Sequence, residues 1–276
     1  MSGGMTGWDE ISCQRGHEDH DTREVVVTIG GPTRYTDLPS IPWRFADTFE
    51  FEVWDTKKYP VDDGPWCPAH DAVSETIISH GVWEPSETIL MLEAFRYCDV
   101  FIDIGAQIGW YSTLAARWSL DVLAIEADPV VAEVCAHNIK YSGGGPDFQM
   151  KVWRVDEDTY LNPSQVPEGR LAVKIDIEGA EADAVAMLGG VIDRIDFMLI
   201  EVSPVFNLTY PDLVAGLIER GFDAYLVPTK ERPPARLEIL PDDLERWNLG
   251  SDLDHVRETV GSWHQQNVLF VRHGAW

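Results

Sequence analysis

The segment Val100-Phe-Ile-Asp-Ile-Gly-Ala-Gln-Ile-Gly-Trp-Tyr-Ser112 limits what this chain can fold into more than any other stretch. Val100, Phe101, Ile102 and Ile104 make the near-continuous apolar run of a strand buried on both faces, as in a parallel sheet covered by helices. Gly105 and Gly109 punctuate the turn that follows, permitting torsions and a close backbone approach that a side chain would forbid. A helix begins after the turn. Thirteen residues beyond Gly109 comes a second strand, Val122-Leu-Ala-Ile125, ending in Glu126. An acidic residue about 20 positions past a glycine turn is where a ribose hydroxyl pair is commonly held.

The rest of the chain continues the alternation. A helix is expected over Ser86–Tyr97 with Ser86 as its cap. Strand 99–104, helix 109–118 and strand 121–126 follow, and Asp128-Pro129 opens the next helix as N-cap and first turn. A Ser142-Gly-Gly-Gly145 break leads to a strand near 149–155, then a short turn or helix over Asp156–Leu161. Strand 171–176, helix 180–189, strand 197–202, helix 211–221 and strands 222–227 and 267–271 complete the series. Such an order demands an α/β fold: a mostly parallel seven-stranded sheet, Rossmann-like, with helices on both faces. Its ligands belong at the C-terminal strand ends.

Upstream, residues 1–23 read as an acidic disordered tail, and 24–80 as an extension in which Arg23–Ile29 and Phe49–Trp54 pair as strands. Residues 81–276 form the main domain. A polar insert, 228–263, precedes the last strand and, with the extension, is expected to shape an acceptor pocket.

The dinucleotide fingerprint G-x-G-x-x-G is absent, because Gln107 stands at its second glycine and Trp110 at its third. No pyrophosphate cradle is evident, and Asp103 would repel phosphates while favouring a cation. S-adenosylmethionine, with its sulfonium and ammonium, suits such a loop. The rival readings are a nicotinamide-dependent oxidoreductase and a catalytically silent binding module on the same fold.

Three blocks of the sequence resemble the FkbM family of S-adenosylmethionine-dependent O-methyltransferases. They are Gly81-Val-Trp-Glu-Pro-Ser-Glu87, the loop Asp103–Ser112 (with Gln107 where the family has Asn), and Lys174-Ile-Asp-Ile-Glu-Gly-Ala-Glu181. A weaker echo lies at Gln266–Val271. The resemblance implies a class I methyltransferase fold and a hydroxyl acceptor on a sugar, glycan or related natural product. One departure is the short connection from Asn138 to Val155, which leads us to expect a curtailed third strand beside the adenine.

On this basis Asp103, Gly105, Ala106, Gln107 and Gly109 are assigned to the methionine end of the cofactor, and Glu126 to its ribose. Ser112, Glu84 and Asp156 are further cofactor candidates, with Trp83 beside Glu84. Asp176, Glu178 and Glu181 are expected to cluster at the end of the fourth core strand, with Glu201 ending its neighbour. Clustered carboxylates raise one another's pKa, as suits a general base. Lys174 shares a strand face with Asp176, and His80 is another candidate base. Asp176 and Glu201 are also candidate ligands for a divalent cation that would orient sugar hydroxyls. A loop-fixing network of the same residues is the competing reading.

The formal charge of −26, from 47 acids against 21 bases, disfavours nucleic acid and acidic membrane surfaces as partners. A small-molecule or glycan acceptor is expected instead. Cys13, Cys67, Cys98 and Cys135 form no C-x-x-C pair, and no signal segment is evident, so a reduced cytoplasmic setting is expected.

Overall fold

The computed structural model describes strand residues 23–29 and 47–53, Val73 and Thr76, and residues 83–141, 148–204, 209–227 and 248–275. Strands β1 (Arg23–Ile29) and β2 (Asp47–Val53) pair with each other as expected, running antiparallel. The remaining strands build one seven-stranded sheet. In chain order they are β3 (Val100–Ile104), β4 (Asp121–Glu126), β5 (Phe148–Val152), β6 (Leu171–Ile175), β7 (Ile195–Val202), β8 (Phe222–Leu226) and β9 (Gln266–Arg272). Their spatial order is β5-β4-β3-β6-β7-β9-β8, parallel except for β9, which runs antiparallel to both neighbours. The chain leaves β3 outward through β4 and β5, then returns to lay β6 on the other side of β3. That reversal places a topological switch point between β3 and β6, where open α/β sheets bind ligands.

Among the described residues six helices cover the two faces: α1 (Pro85–Phe95), α2 (Trp110–Arg117), α3 (Pro129–Tyr141), α4 (Glu181–Met187), α5 (Tyr210–Glu219) and α6 (Leu253–Gly261). Strand side chains alternate between faces, so each strand feeds two cores. Phe101, Val122, Ala124, Ala172, Phe197, Leu199 and Leu269 pack under α1, α2 and α3. Ile102, Ile104, Val173, Ile175, Met198 and Ile200 pack under α4, α5 and α6. This explains the continuous apolar runs in the sequence.

The helix starts follow local chemistry. Asp128 Oδ1 accepts the Val130 and Val131 N–H groups at 2.8 and 3.2 Å, so the expected cap of α3 forms. At α1 the expectation needs correction: Glu84, not Ser86, is the N-cap, and Pro85 fills the first turn. A proline there surrenders an N–H that has no helical partner anyway. Ser86 is buried inside the helix.

Two further expectations change. The third core strand, β5, runs for five residues in register with β4 from Val122 to Glu126 and ends at Val152, short of the 155 expected. The later part of the polar insert is helical, because α6 buries Val256 and Val260 and Arg257 bonds Asp212 of α5 at 2.8 Å. Residues 228–247 of the insert, the tail 1–22 and His80 lie outside the described residues.

Candidate functional site at the sheet switch point

On the face covered by α1, α2 and α3, the apolar alternation of five strands ends in polar residues. Following the same period of two, Val122 and Ala124 lead to Glu126, Phe101 to Asp103, Ala172 to Lys174, Leu199 to Glu201, and Leu269 back to Asn267. Five strand tips thus present ionisable or amide groups along one rim, at the C-terminal edge of the parallel strands.

The glycine turn links two of these tips. Gly105 and Ala106 donate their N–H groups to the Ile125 carbonyl at 2.9 and 3.0 Å, tying the loop to β4. Gly105 has φ +81, and a Cβ there would sit 1.9 Å from the Asp176 carbonyl oxygen. Gly109 has φ +86, and its Cβ would meet Cys135 Sγ at 2.7 Å. Both glycines are therefore required by the packing of the protein on itself, and the N–H groups of residues 105–109 are all taken up by acceptors within the protein. Gln107 adopts φ 51 and donates its N–H to Glu126 Oε2 at 2.9 Å, while its own side chain accepts the Ile108 N–H at 2.7 Å. Glu126 Oε1 accepts from the N–H groups of Ala127 and Asp128 at 2.7 and 2.9 Å. Three backbone donors thus fix a half-buried carboxylate at the tip of β4.

Asp103 and Ser112 are engaged with each other. Asp103 Oδ2 accepts from Ser112 Oγ at 2.7 Å and from its N–H at 3.1 Å, and both residues are buried. Burial pushes the Asp103 carboxyl up to about 6, although Lys174 and Ser112 pull it back.

Across the switch point lies a second group. Lys174 is 4% exposed and donates from Nζ to Asp176 Oδ2 at 2.7 Å. The same ammonium lies 3.7 Å from Glu84 Oε2 and 4.8 Å from the centre of the Tyr111 ring. Burial acts to lower its pKa, but Asp176, Glu84 and Asp103 outweigh that and hold the lysine above its ordinary value. Glu84 also accepts from Tyr111 Oη at 2.7 Å. Carboxylate oxygens of Glu84, Asp176 and Glu201 lie within 4.8 Å of one another, so the two residues considered as metal ligands do meet, with Glu84 as a third. The Lys174 ammonium already supplies a cation to two of the three.

Two carboxyls here are raised to about 7. Glu201 is raised by burial and then by Asp176, and Glu87 by burial and then by Glu84. Gln265 Nε2 donates to Glu201, and Asn267 Nδ2 donates to Glu87 at 3.0 Å.

The expected grouping of Asp176, Glu178 and Glu181 separates. Glu178 is exposed. Glu181 turns back on its own loop, accepting from Gly179 N–H at 3.0 Å, from Ile177 N–H at 3.3 Å and from Tyr210 Oη. Asp156 is exposed and closes a local turn with Asp158 N–H and Thr159 Oγ1 at 3.2 and 2.7 Å. Glu87, Tyr111, Gln265 and Asn267 join the group without having been singled out. Three of the four non-glycine residues with positive φ among the described residues, Glu84, Gln107 and Glu178, belong to the loops bearing these groups. Such conformations cost on the order of 1–3 kcal/mol each and concentrate at functional sites.

No protein-family model matches the chain, and no curated protein is similar to it in sequence. Solved structures similar in fold include an rRNA methylase from Streptococcus thermophilus (TM-score 0.47, 13% identity, covering 69% of this chain and 98% of that one). A SAM-dependent O-methyltransferase from Thermotoga maritima has TM-score 0.45 and 14% identity, with 72% and 70% covered. A precorrin-6y C5,15-methyltransferase from Geobacter metallireducens has TM-score 0.40 and 15% identity, with 67% and 86% covered. The strand order of the sheet, with its one antiparallel strand next to the edge, makes this a Rossmann-like α/β fold with a mostly parallel seven-stranded sheet.

Proposed function

We propose that this chain is an S-adenosylmethionine-dependent O-methyltransferase of FkbM type that methylates a hydroxyl of a sugar, glycan or related small molecule. The observation that carries the reading is the pairing of two features across the switch point. On one side a backbone-anchored carboxylate, Glu126, ends β4 beside a turn whose N–H groups are all taken up within the protein. On the other, carboxyls of Glu84, Asp176 and Glu201 meet around Lys174.

The donor set fits a cofactor with ribose hydroxyls and positive charge. Glu126 offers acceptor oxygens for the hydroxyls, with Gln107 and Ala106 as loop contacts. Gly105 and Gly109 allow the loop its path, and Asp103 with Ser112 braces it from behind. Glu84 borders the group from α1, and Asp156 lies beyond β5. When bound, S-adenosylmethionine supplies an electrophilic methyl group on a sulfonium.

The chain's own task is to position a hydroxyl and accept its proton. Glu201 is the base in this reading, because a carboxyl titrating near 7 can take up a proton at neutral pH. Asp176 is engaged with Lys174 and orients the acceptor. Lys174 compensates the carboxylates, so the reading uses no divalent cation. A chain of charge −26 repels polyanions, which favours a neutral acceptor over nucleic acid.

Calorimetric titration with S-adenosylhomocysteine, followed by mass spectrometry of methyl glycosides incubated with methyl-labelled cofactor, tests the proposal. Binding and label transfer are expected. Binding of a nicotinamide dinucleotide in place of S-adenosylhomocysteine would overturn it.

A further inference from the structure

The strand β9 reaches the rim from the opposite direction to the parallel strands, so its beginning lies where their ends lie. In the β7–β9 ladder Glu201 stands opposite Asn267, and Val202 opposite Gln266. Gln265 and Asn267 are two residues apart, and each donates a side-chain amide N–H to a carboxyl on a different element. Gln265 reaches Glu201 of β7, and Asn267 reaches Glu87 of α1. Burying two carboxyls costs free energy that apolar residues at the same places would avoid, so the acids and their amide donors point to a role besides packing. Glu87 is one helical turn past Glu84, whose carboxylate Tyr111 and Lys174 hold. The first turn of α1 is thereby fastened to β9 through one acid and to α2 and β6 through the other.

We propose that Gln265 and Asn267 are positioning residues of the acceptor site: Gln265 holds the Glu201 carboxyl, and Asn267, through Glu87, holds the first turn of α1 and with it Glu84 beside the hydroxyl-bearing acceptor. The inference rests on the methyltransferase reading. Gln265 acts on the base, and its effect is separable from packing because Gln265 itself is exposed. The charged groups acting on Glu201 are Asp176 and Lys174 of the β6 end and Glu84 at the start of α1. Those acting on Glu87 are Glu84 and Lys174.

The test measures label transfer from methyl-labelled S-adenosylmethionine to methyl glycosides against pH, with cofactor affinity followed by calorimetry. In Gln265→Leu the carboxylate loses a donor, so the acid limb of kcat should move up by about one pH unit. In Gln265→Lys a positive donor replaces a neutral one, and the limb should move down. Asn267→Leu should lower kcat about tenfold or more through misplacement of Glu87 and with it Glu84, with cofactor affinity unchanged. Asn267→Asp separates the donor from side-chain size and, assayed above pH 8 where Glu87 is ionised, should be as impaired as Asn267→Leu. Limbs that stay in place in both Gln265 variants, or variants that lose cofactor affinity in parallel with rate, would overturn the inference and leave the methyltransferase reading standing. A wild type that binds cofactor and labels nothing would overturn the acceptor reading, and this inference with it.

Discussion

Lys174 Nζ lies 2.7 Å from Asp176 Oδ2, an ion pair made by two residues on one side of the same strand end. It places a buried ammonium where Glu84 and Asp103 also act on it. Removing one member of a buried pair leaves the other charge uncompensated, which costs about 3–5 kcal/mol. Lys174→Met should therefore lower stability by about 3 kcal/mol, read as a lower midpoint in urea denaturation. An unchanged midpoint would mean that the carboxylates do not depend on the lysine.

Stability should fall as pH rises through the weakly acidic range. Asp103 is raised from 3.8 to about 6, and Glu87 and Glu201 from 4.5 to about 7. For each, the folded state holds the proton more tightly than the unfolded chain. The stability this contributes is full below the unfolded pKa and is lost as pH climbs through the folded one. The window runs from about pH 4 to about pH 7, and for Glu87 alone the change is on the order of 3 kcal/mol. Urea denaturation at pH 5 and pH 8 should give a lower midpoint at pH 8. Glu87→Gln keeps the acceptor for Asn267 and should reduce the difference, leaving the shares of Asp103 and Glu201; an equal slope in that variant would remove Glu87 from the explanation.

The two turn glycines should differ sharply from a glycine in open space. At Gly105 a methyl group would overlap the Asp176 carbonyl, and backbone atoms cannot move aside cheaply. Gly105→Ala should cost about 3 kcal/mol or prevent folding. Gly250 has φ +79, and nothing lies within 4 Å of where its methyl group would stand. Gly250→Ala should therefore cost only the left-handed penalty of about 1–2 kcal/mol. Thermal melts of the two variants make the comparison. Equal losses would mean that backbone conformation, and not the contact with the end of β6, dictates Gly105.

The sheet was legible because fully buried strands leave little ambiguity in runs such as Phe197–Val202, and Asp128-Pro129 announced a helix start through its own chemistry. The strand-end acids were legible for the same reason: a charge closing an apolar run must reach the rim or a partner. Tyr111, Glu87 and Asn267 were not. Each lies inside a stretch whose packing alone accounts for it, and only the crossing of α1, α2 and β9 brings them to one place. Glu181 misled because an acid in a charged octet resembles a site residue. Its place at the start of α4 offered the other signal, since a carboxylate there can satisfy free backbone N–H groups. Ser86 misled similarly, as a serine before an apolar run when the cap belonged to Glu84.

Glu126 decides whether the rim holds a cofactor or only braces a loop, because its oxygens already accept from Gln107, Ala127 and Asp128. If bracing were its whole role, Glu126→Gln would keep one acceptor oxygen and disturb the loop modestly, with no selective effect on ligand. If its carboxylate also receives ribose hydroxyls, loss of the charge removes charge-assisted hydrogen bonds worth about 1.5–3 kcal/mol. Affinity for S-adenosylhomocysteine should then fall about 10- to 100-fold in Glu126→Gln, by calorimetry, with only the modest drop in thermal midpoint that the altered loop contacts cause. Comparison with adenine alone, which lacks the ribose, sharpens the outcome: any binding of adenine should be indifferent to the substitution. A midpoint that drops while affinity holds would assign Glu126 to the loop.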